Sequence, residues 1–166
     1  LSLGLFQNRY EKPIGTAFSG NARTYENGNR EQSRGLELEW IQELSDDWSL
    51  RTSYTRMDLP DSAFREADQL GAIEINYAAE RWNWNLTGFY QDQRQTLITN
   101  TSWQTLDSFW VFNSKWRYEF NPRYELNLYL KNLTDEDYAT PSQGLGKPEG
   151  IPNRGRELMA EIQWRF

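Results

Sequence analysis

Cysteine and histidine are both absent from the 166 residues. Without cysteine there can be no disulfide, no thiolate metal ligand and no thiol nucleophile. Without histidine, the commonest general base and the commonest transition-metal ligand are missing as well. Most enzymatic readings weaken on these two absences, and no cofactor is expected. No run approaches the roughly 18 consecutive apolar residues of a membrane-crossing helix, and mean hydropathy is −0.88. Basic residues are outnumbered, 18 against 24 acidic, for a net charge of −6. Nucleic acid is therefore not an expected partner. The chain begins at Leu1 with no basic-then-apolar leader and small-residue cleavage site. It reads either as cytoplasmic or as an internal piece of a longer precursor.

Aromatic side chains are plentiful. Eight Trp, nine Tyr and eight Phe make up 15% of the chain, although only 37% of it is hydrophobic. A disordered chain lacks that density, because it cannot bury enough apolar surface to offset the entropy of ordering. The length suits one domain.

The dominant period is two. Leu36, Leu38, Trp40 and Leu44 alternate with Glu37, Glu39, Ile41 and Glu43, the signature of a strand with one apolar and one charged face. The same pattern recurs from Trp48 to Thr55, from Ile73 to Tyr77, from Trp82 to Tyr90, from Trp110 to Glu119, from Tyr124 to Lys131 and from Glu157 to Phe166. With a first strand over Leu1, Leu3 and Leu5, eight strands are predicted. No comparable helical stripe occurs.

The connections alternate in length. Short turns fall at Ser45-Asp46-Asp47, Ala79-Glu80-Arg81 and Asn121-Pro122-Arg123, all rich in turn-compatible residues. Long polar loops fall at about 11–30, 58–69, 96–107 and 133–154. This alternation predicts an antiparallel up-and-down meander with every long loop at one end. Each short turn is followed by an aromatic, Trp48, Trp82 or Tyr124, at the level of Tyr77, Phe120 and Trp164. A belt of Trp and Tyr at one height is what a membrane interface selects. The expected fold is thus all-β, a transmembrane barrel with its apolar face toward lipid and its polar face toward a wet lumen. A soluble antiparallel sheet with one buried face would share the alternation.

Several segments resemble one family, the TonB-dependent receptors of Gram-negative outer membranes. Arg34-Gly35-Leu36-Glu37-Leu38-Glu39 with Leu44-Ser45-Asp46-Asp47-Trp48-Ser49-Leu50 is similar to a late-barrel hairpin of that family. Asn132-Leu133-Thr134-Asp135-Glu136-Asp137-Tyr138 resembles the element before its last extracellular loop, and Pro152-Asn153-Arg154-Gly155-Arg156 with the run to Phe166 resembles its closing strand. The resemblance spans essentially the whole chain. It implies that residues 1–166 are the C-terminal portion of a 22-stranded barrel, with the signal peptide, the TonB box, the plug domain and the other strands lacking. It also implies uptake of a scarce solute such as a ferric siderophore, vitamin B12 or a sugar, energised through TonB by way of the lacking N-terminal region. The long loops would then be extracellular and the C-terminus periplasmic. The implied partners are outer-membrane lipid, the plug and remaining strands, the TonB complex, an extracellular small molecule and the barrel-assembly machinery. That machinery would read Phe166 and Trp164 as an assembly signal; otherwise they only anchor the interfacial belt. Two alternatives stay open: a complete eight-stranded barrel acting as an adhesin or structural protein, and a soluble carbohydrate-binding β-sandwich.

Candidate ligand residues are the loop cations and aromatics Phe18, Arg23, Tyr25, Arg94, Trp103 and Tyr138. Arginine offers anions a fixed donor fork, and aromatic faces suit flat or sugar-like solutes. Ordinary loop packing would use the same residues. Twelve charges, Glu37, Glu39, Glu43, Arg51, Glu74, Lys115, Arg117, Glu119, Lys131, Glu157, Glu161 and Arg165, are predicted to face the lumen. Asp135, Glu136 and Asp137 lack the glycine and distal glutamate of a calcium loop and read as a solvated loop start. Gly144-Leu145-Gly146-Lys147 lacks the rest of a phosphate loop and reads as loop flexibility. Neither catalytic residues nor a metal site is expected. Two free edges on an isolated sheet predict aggregation or a tight eight-strand closure that buries Phe89, Phe109 and Tyr129.

Overall fold

The computed structural model describes residues 1–19, 22–99, 102–142 and 149–166, with side chains for all of these except 16–19, 22–23 and 99. The described strands are β1 (Ser2–Tyr10), β2 (Ile14–Ser19), β3 (Ala22–Asn27), β4 (Glu31–Glu43), β5 (Trp48–Asp58), β6 (Gln69–Ala78), β7 (Trp82–Gln91), β8 (Arg94–Thr99), β9 (Ser102–Leu106), β10 (Phe109–Asn121), β11 (Tyr124–Lys131), β12 (Ala139–Thr140), β13 (Ile151–Pro152) and β14 (Glu157–Trp164). One 3-10 turn, Asp61–Ala63, lies between β5 and β6.

Eight of the strands form one sheet in the order β1-β4-β5-β6-β7-β10-β11-β14, antiparallel throughout. The three short turns lie where the turn residues predict them. The Leu44 and Ala79 amides donate to the carbonyls of Trp48 and Trp82, each at 2.8 Å, and the Arg123 amide donates to Asn121 Oδ1 at 2.9 Å. The long loops differ from the expectation. Two of them carry hairpins of their own, β2–β3 and β8–β9, and a third carries the short pair β12–β13. Their strands are short and polar, so the period-two signal is weak, but β-branched residues such as Ile14, Thr96, Ile98 and Thr105 suit extended backbone.

The register sorts the residues as the alternation predicts. Trp48 pairs with Tyr77, Tyr77 with Trp84, Trp84 with Trp116, Trp116 with Leu128 and Leu128 with Ala160. Opposed residues share a face, so this row runs unbroken along one side. The other side collects Arg51 against Glu74, Lys115 against Tyr129 and Asn127 against Glu161. The apolar side is left uncovered, with Leu158 70% and Ile162 74% exposed on edge strand β14, while Asn127 and Glu125 on the polar side are 1% and 7% exposed. A soluble sandwich would bury the apolar side under a second sheet, and no described residues form one there.

Aromatic rings join along the turn end of the apolar side: Trp48 to Tyr77 at 4.8 Å, Trp84 to Trp116 at 5.6 Å, Trp82 to Tyr118 at 4.5 Å and Tyr124 to Trp164 at 6.2 Å. A second belt, with Tyr90 and Trp110 in contact at 5.3 Å, lies six residues farther along β7 from Trp84, or about 20 Å at strand rise. Polar groups between the belts satisfy each other, as hydrocarbon requires. Trp84 Nε1 donates to Ser114 Oγ at 2.8 Å, and that hydroxyl donates to the Asn85 carbonyl at 3.2 Å.

The sheet is open: among the described residues β1 pairs only with β4 and β14 only with β11. The expected tight closure is not what forms. Phe109 is buried, but under Tyr138 of a loop, and Phe89 remains 42% exposed. The physical reason lies in the polar side. An eight-stranded barrel has room only for a filled interior, and such an interior could not hydrate the row of long charged side chains that these strands carry.

Candidate functional site

At the loop end of the polar side, β7, β8, β10, the β5–β6 connection and residues 138–141 enclose a cleft of about 570 Å³. Arg65, Glu66, Phe89, Arg94, Phe109 and Tyr138 line it. Phe89 and Phe109 enter from β7 and β10 on the parity that elsewhere carries Asn, Lys and Arg. The Phe109 ring meets Tyr138 at 4.4 Å.

Two guanidiniums reach this cleft, Arg65 and the more deeply buried Arg94, which is 5% exposed. Arg94 Nη2 donates to the Ala139 carbonyl at 2.8 Å, and its guanidinium lies 5.3 Å from the centre of the Phe109 ring. Burial lowers its pKa from the ordinary arginine value, while Glu66 opposes that shift. Arginine remains charged under such perturbation, so the cleft holds a desolvated positive charge. The Arg94 Nε meets no acceptor among the described residues.

The loops around the cleft are fastened to one another. The Gln95 amide donates to the Phe64 carbonyl at 2.8 Å, and the Ser142 amide donates to Thr96 Oγ1 at 3.1 Å. Trp103 lies against Phe64, centroids 4.1 Å apart, in a second cleft that shares Glu66 with the first. Of the residues picked from the sequence, Arg94 and Tyr138 therefore meet in one cleft, and Trp103 stands in the adjoining one. Tyr25 is exposed on the β2–β3 hairpin and lines neither cleft. Phe18 and Arg23 are opposed in that hairpin, but their side chains lie outside the described residues, as does Gly144-Leu145-Gly146-Lys147.

Sequence reasoning missed Phe64, Glu66, Phe89 and Phe109. For the phenylalanines of β7 and β10 a signal existed: Phe89, Phe109 and Val111 are apolar residues on the polar parity, clustered at the loop end. Phe64 and Glu66 come from a connection without periodicity, and nothing in the sequence points to them.

The acidic run beyond β11 has a structural use. Asn132 and Asp135 adopt φ of 49° and 56°, the left-handed region that asparagine and aspartate enter most readily among non-glycine residues. Asn132 Nδ2 donates to the Glu136 carbonyl at 2.9 Å, and its Oδ1 accepts from the Glu136 amide at 2.8 Å. Asp135 Oδ1 accepts from the Arg156 amide at 2.8 Å. The run is a clasp that ties the base of the last long connection to the start of β14. Among the described residues no cluster of three or more acidic side chains could hold a metal ion.

Comparison with known proteins matches residues 1–133 to the family described as TonB dependent receptor-like, beta-barrel. No curated protein sequence matches the chain. Among solved structures, the pyoverdine outer membrane receptor FpvA from Pseudomonas aeruginosa superposes with a TM-score of 0.79 at 17% identity, over 99% of this chain and 27% of that one. The ferric enterobactin receptor PfeA from P. aeruginosa gives 0.76 at 15% identity, over 99% and 28%. The ferric-catecholate import receptor Fiu from E. coli K12 gives 0.74 at 16% identity, over 99% and 25%. The chain thus spans about a quarter of the length of the structures it resembles.

Proposed function

The chain belongs to the β-barrels of the TonB-dependent receptors, and on that premise we propose that it supplies the last eight strands of an outer-membrane receptor that imports a ferric siderophore. The family match over residues 1–133 is the observation that carries this reading. The sheet fits it: among the described residues both outer edges are unpaired, as in a segment of a wider barrel, and this counts against a complete eight-stranded adhesin. The similar structures named for pyoverdine, enterobactin and catecholates favour a siderophore over a vitamin or a sugar. In this role the protein is a transporter and has no catalytic residues.

The loops would face the cell exterior and the turn-end belt the periplasm. The cleft around Arg94 would then open toward incoming solute, with Phe89, Phe109 and Tyr138 as flat walls and the Arg65 and Arg94 guanidiniums supplying positive charge to an anionic ligand group. Tyr25, Phe18, Arg23 and Trp103 would line the approach. The polar side would receive the plug, and TonB would act through the region upstream of this chain. Phe166 and Trp164, 4.6 Å apart, would present the last strand to the assembly machinery.

The test is uptake of radiolabelled iron by iron-starved cells carrying the intact receptor, offered ferric pyoverdines and ferric catecholates in turn. One of them should enter only when TonB is present, and Arg94→Gln should cut its binding about tenfold, the scale of one charge-assisted hydrogen bond. Entry of none of them, or entry independent of TonB, would sink the proposal.

A further inference from the structure

The contact between Phe109 and Tyr138 is a partition with a cleft on either side. Both residues line the Arg94 cleft, and both line a further cleft of about 640 Å³ between the β9–β10 connection and the residues around β12 and β13. Each volume lies in the range of small-molecule sites. The partition is thin: the carbonyl that Arg94 holds belongs to Ala139, which lines the further cleft.

The two clefts are opposite in charge. The first holds Arg65 and Arg94 against one carboxylate, Glu66. The second holds Asp107, Glu136, Asp137 and Glu149, and no cation lines it among the described residues. The clasp at the base of this loop does not use these carboxylates. It takes the Asp135 carboxylate and, from Glu136, only the backbone amide and carbonyl. None of the four enters an ion pair among the described residues.

Each side calls for its own counter-charge. Arg94 is 5% exposed, and its Nε meets no acceptor among the described residues, so a desolvated cation awaits an anion. A cleft lined by charge of one sign concentrates the opposite ion, so the carboxylate side awaits a cation. A metal ion needs its oxygens gathered around one point, and no group of three or more acidic side chains among the described residues is placed for that. Carboxylates spread along an aromatic wall suit an organic cation instead, an ammonium or guanidinium that bonds to them and rests on a ring face.

We infer, resting on the siderophore reading above, that the two clefts together take a ferric siderophore with opposite charges at its two ends. Its anionic iron-chelating head occupies the arginine cleft, and an arm ending in an ammonium or guanidinium crosses the partition into the carboxylate cleft. The arm then sets specificity, because a neutral arm would displace water from the carboxylates and return no charge to them.

The test measures binding to the intact receptor in detergent by quenching of tryptophan fluorescence. The probes are a ferric tris-catecholate and a ferric mixed catecholate–hydroxamate, each made with a primary amine on its arm and again with that amine acetylated. For whichever head is bound, the amine form should bind about tenfold tighter than the acetylated form, and the ratio should shrink at high salt. Asp107→Asn with Asp137→Asn should bring the ratio below about threefold. Asp46→Asn, in the first short turn at the opposite end of the sheet, should leave it at the wild-type value. Equal affinity of wild type for the two forms overturns the inference without requiring any variant to fold, and leaves the siderophore reading standing. A wild-type ratio retained by the double variant overturns it as well. Binding of no probe in either form sinks the siderophore reading itself, and the inference falls with it.

Discussion

The Arg94 guanidinium lies 5.3 Å from the centre of the Phe109 ring, and the same ring meets Tyr138 at 4.4 Å. A buried cation is thus held on an aromatic face that enters from a barrel strand, while the loops close over it. A desolvated cation–π contact contributes about 2 kcal/mol. Phe109→Leu keeps the volume nearly constant and removes the quadrupole. It is expected to weaken ligand binding to the intact receptor about three- to tenfold while leaving the thermal midpoint within a few degrees. A large drop in that midpoint with unchanged binding would make Phe109 a packing residue only.

Facing can be tested energetically on β11. Leu128 stands on the apolar side between Trp116 and Ala160, and Asn127 on the polar side between Arg117 and Glu161. Arginine at Leu128 should cost about 2–4 kcal/mol near mid-bilayer, whereas arginine at Asn127 should cost much less. Folding titrations of the receptor into lipid vesicles read both numbers, and the reverse order would mean a one-residue error in register.

Gly88 offers a packing test on the same surface. A Cβ there would come 2.6 Å from the Phe112 ring and 2.8 Å from Ile73 Cγ2, whereas one at Gly4 would meet only Glu37 at 3.8 Å. Gly88→Ala is expected to destabilise the folded barrel by about 1–3 kcal/mol through overpacking. Gly4→Ala should fall within about 0.5 kcal/mol of wild type. Urea unfolding from vesicles distinguishes the pair, and equal losses would contradict the close approach of Phe112.

The Asn132 clasp predicts an order of variants. Asn132→Gly keeps the left-handed backbone and loses the side-chain bonds, for about 1–2 kcal/mol, and Asn132→Ala adds backbone strain of about 1 kcal/mol more. Thermal melting of the receptor in detergent should therefore rank wild type above glycine and glycine above alanine. Alanine melting above glycine would show that φ at this position is not the constraint.

Phe166 separates two roles by the step that fails. It touches Trp164 and otherwise stands exposed. Deleting it from the intact receptor should slow assembly in cells while spontaneous folding into detergent stays nearly intact. A parallel loss of both would leave it a structural anchor of the turn-end belt.

The membrane sheet was legible in the sequence because side-chain parity is an unambiguous code once one face must be apolar. Trp48, Trp82 and Tyr124 marked both the turns and the belt, and each opens its strand in the structure. The hairpins β2–β3 and β8–β9 were not legible, since short strands clear of the membrane need no apolar face. The loop-end cleft was half legible. Arg94 and Tyr138 stand out chemically, but their meeting depends on the 2.8 Å bond to the Ala139 carbonyl, 45 residues away in sequence, and no local pattern encodes such a contact.

The central claim is that the apolar side of this sheet meets lipid while its polar side faces the lumen. Spin labels placed singly at residues 125 to 131 of β11, in the intact receptor reconstituted into bilayers, test it through their collision rates with oxygen and with a water-soluble nickel chelate. Labels at 126, 128 and 130 should collide strongly with oxygen and weakly with nickel, and those at 125, 127, 129 and 131 should show the opposite bias. A profile without period two, or one with the parities exchanged, would contradict the account.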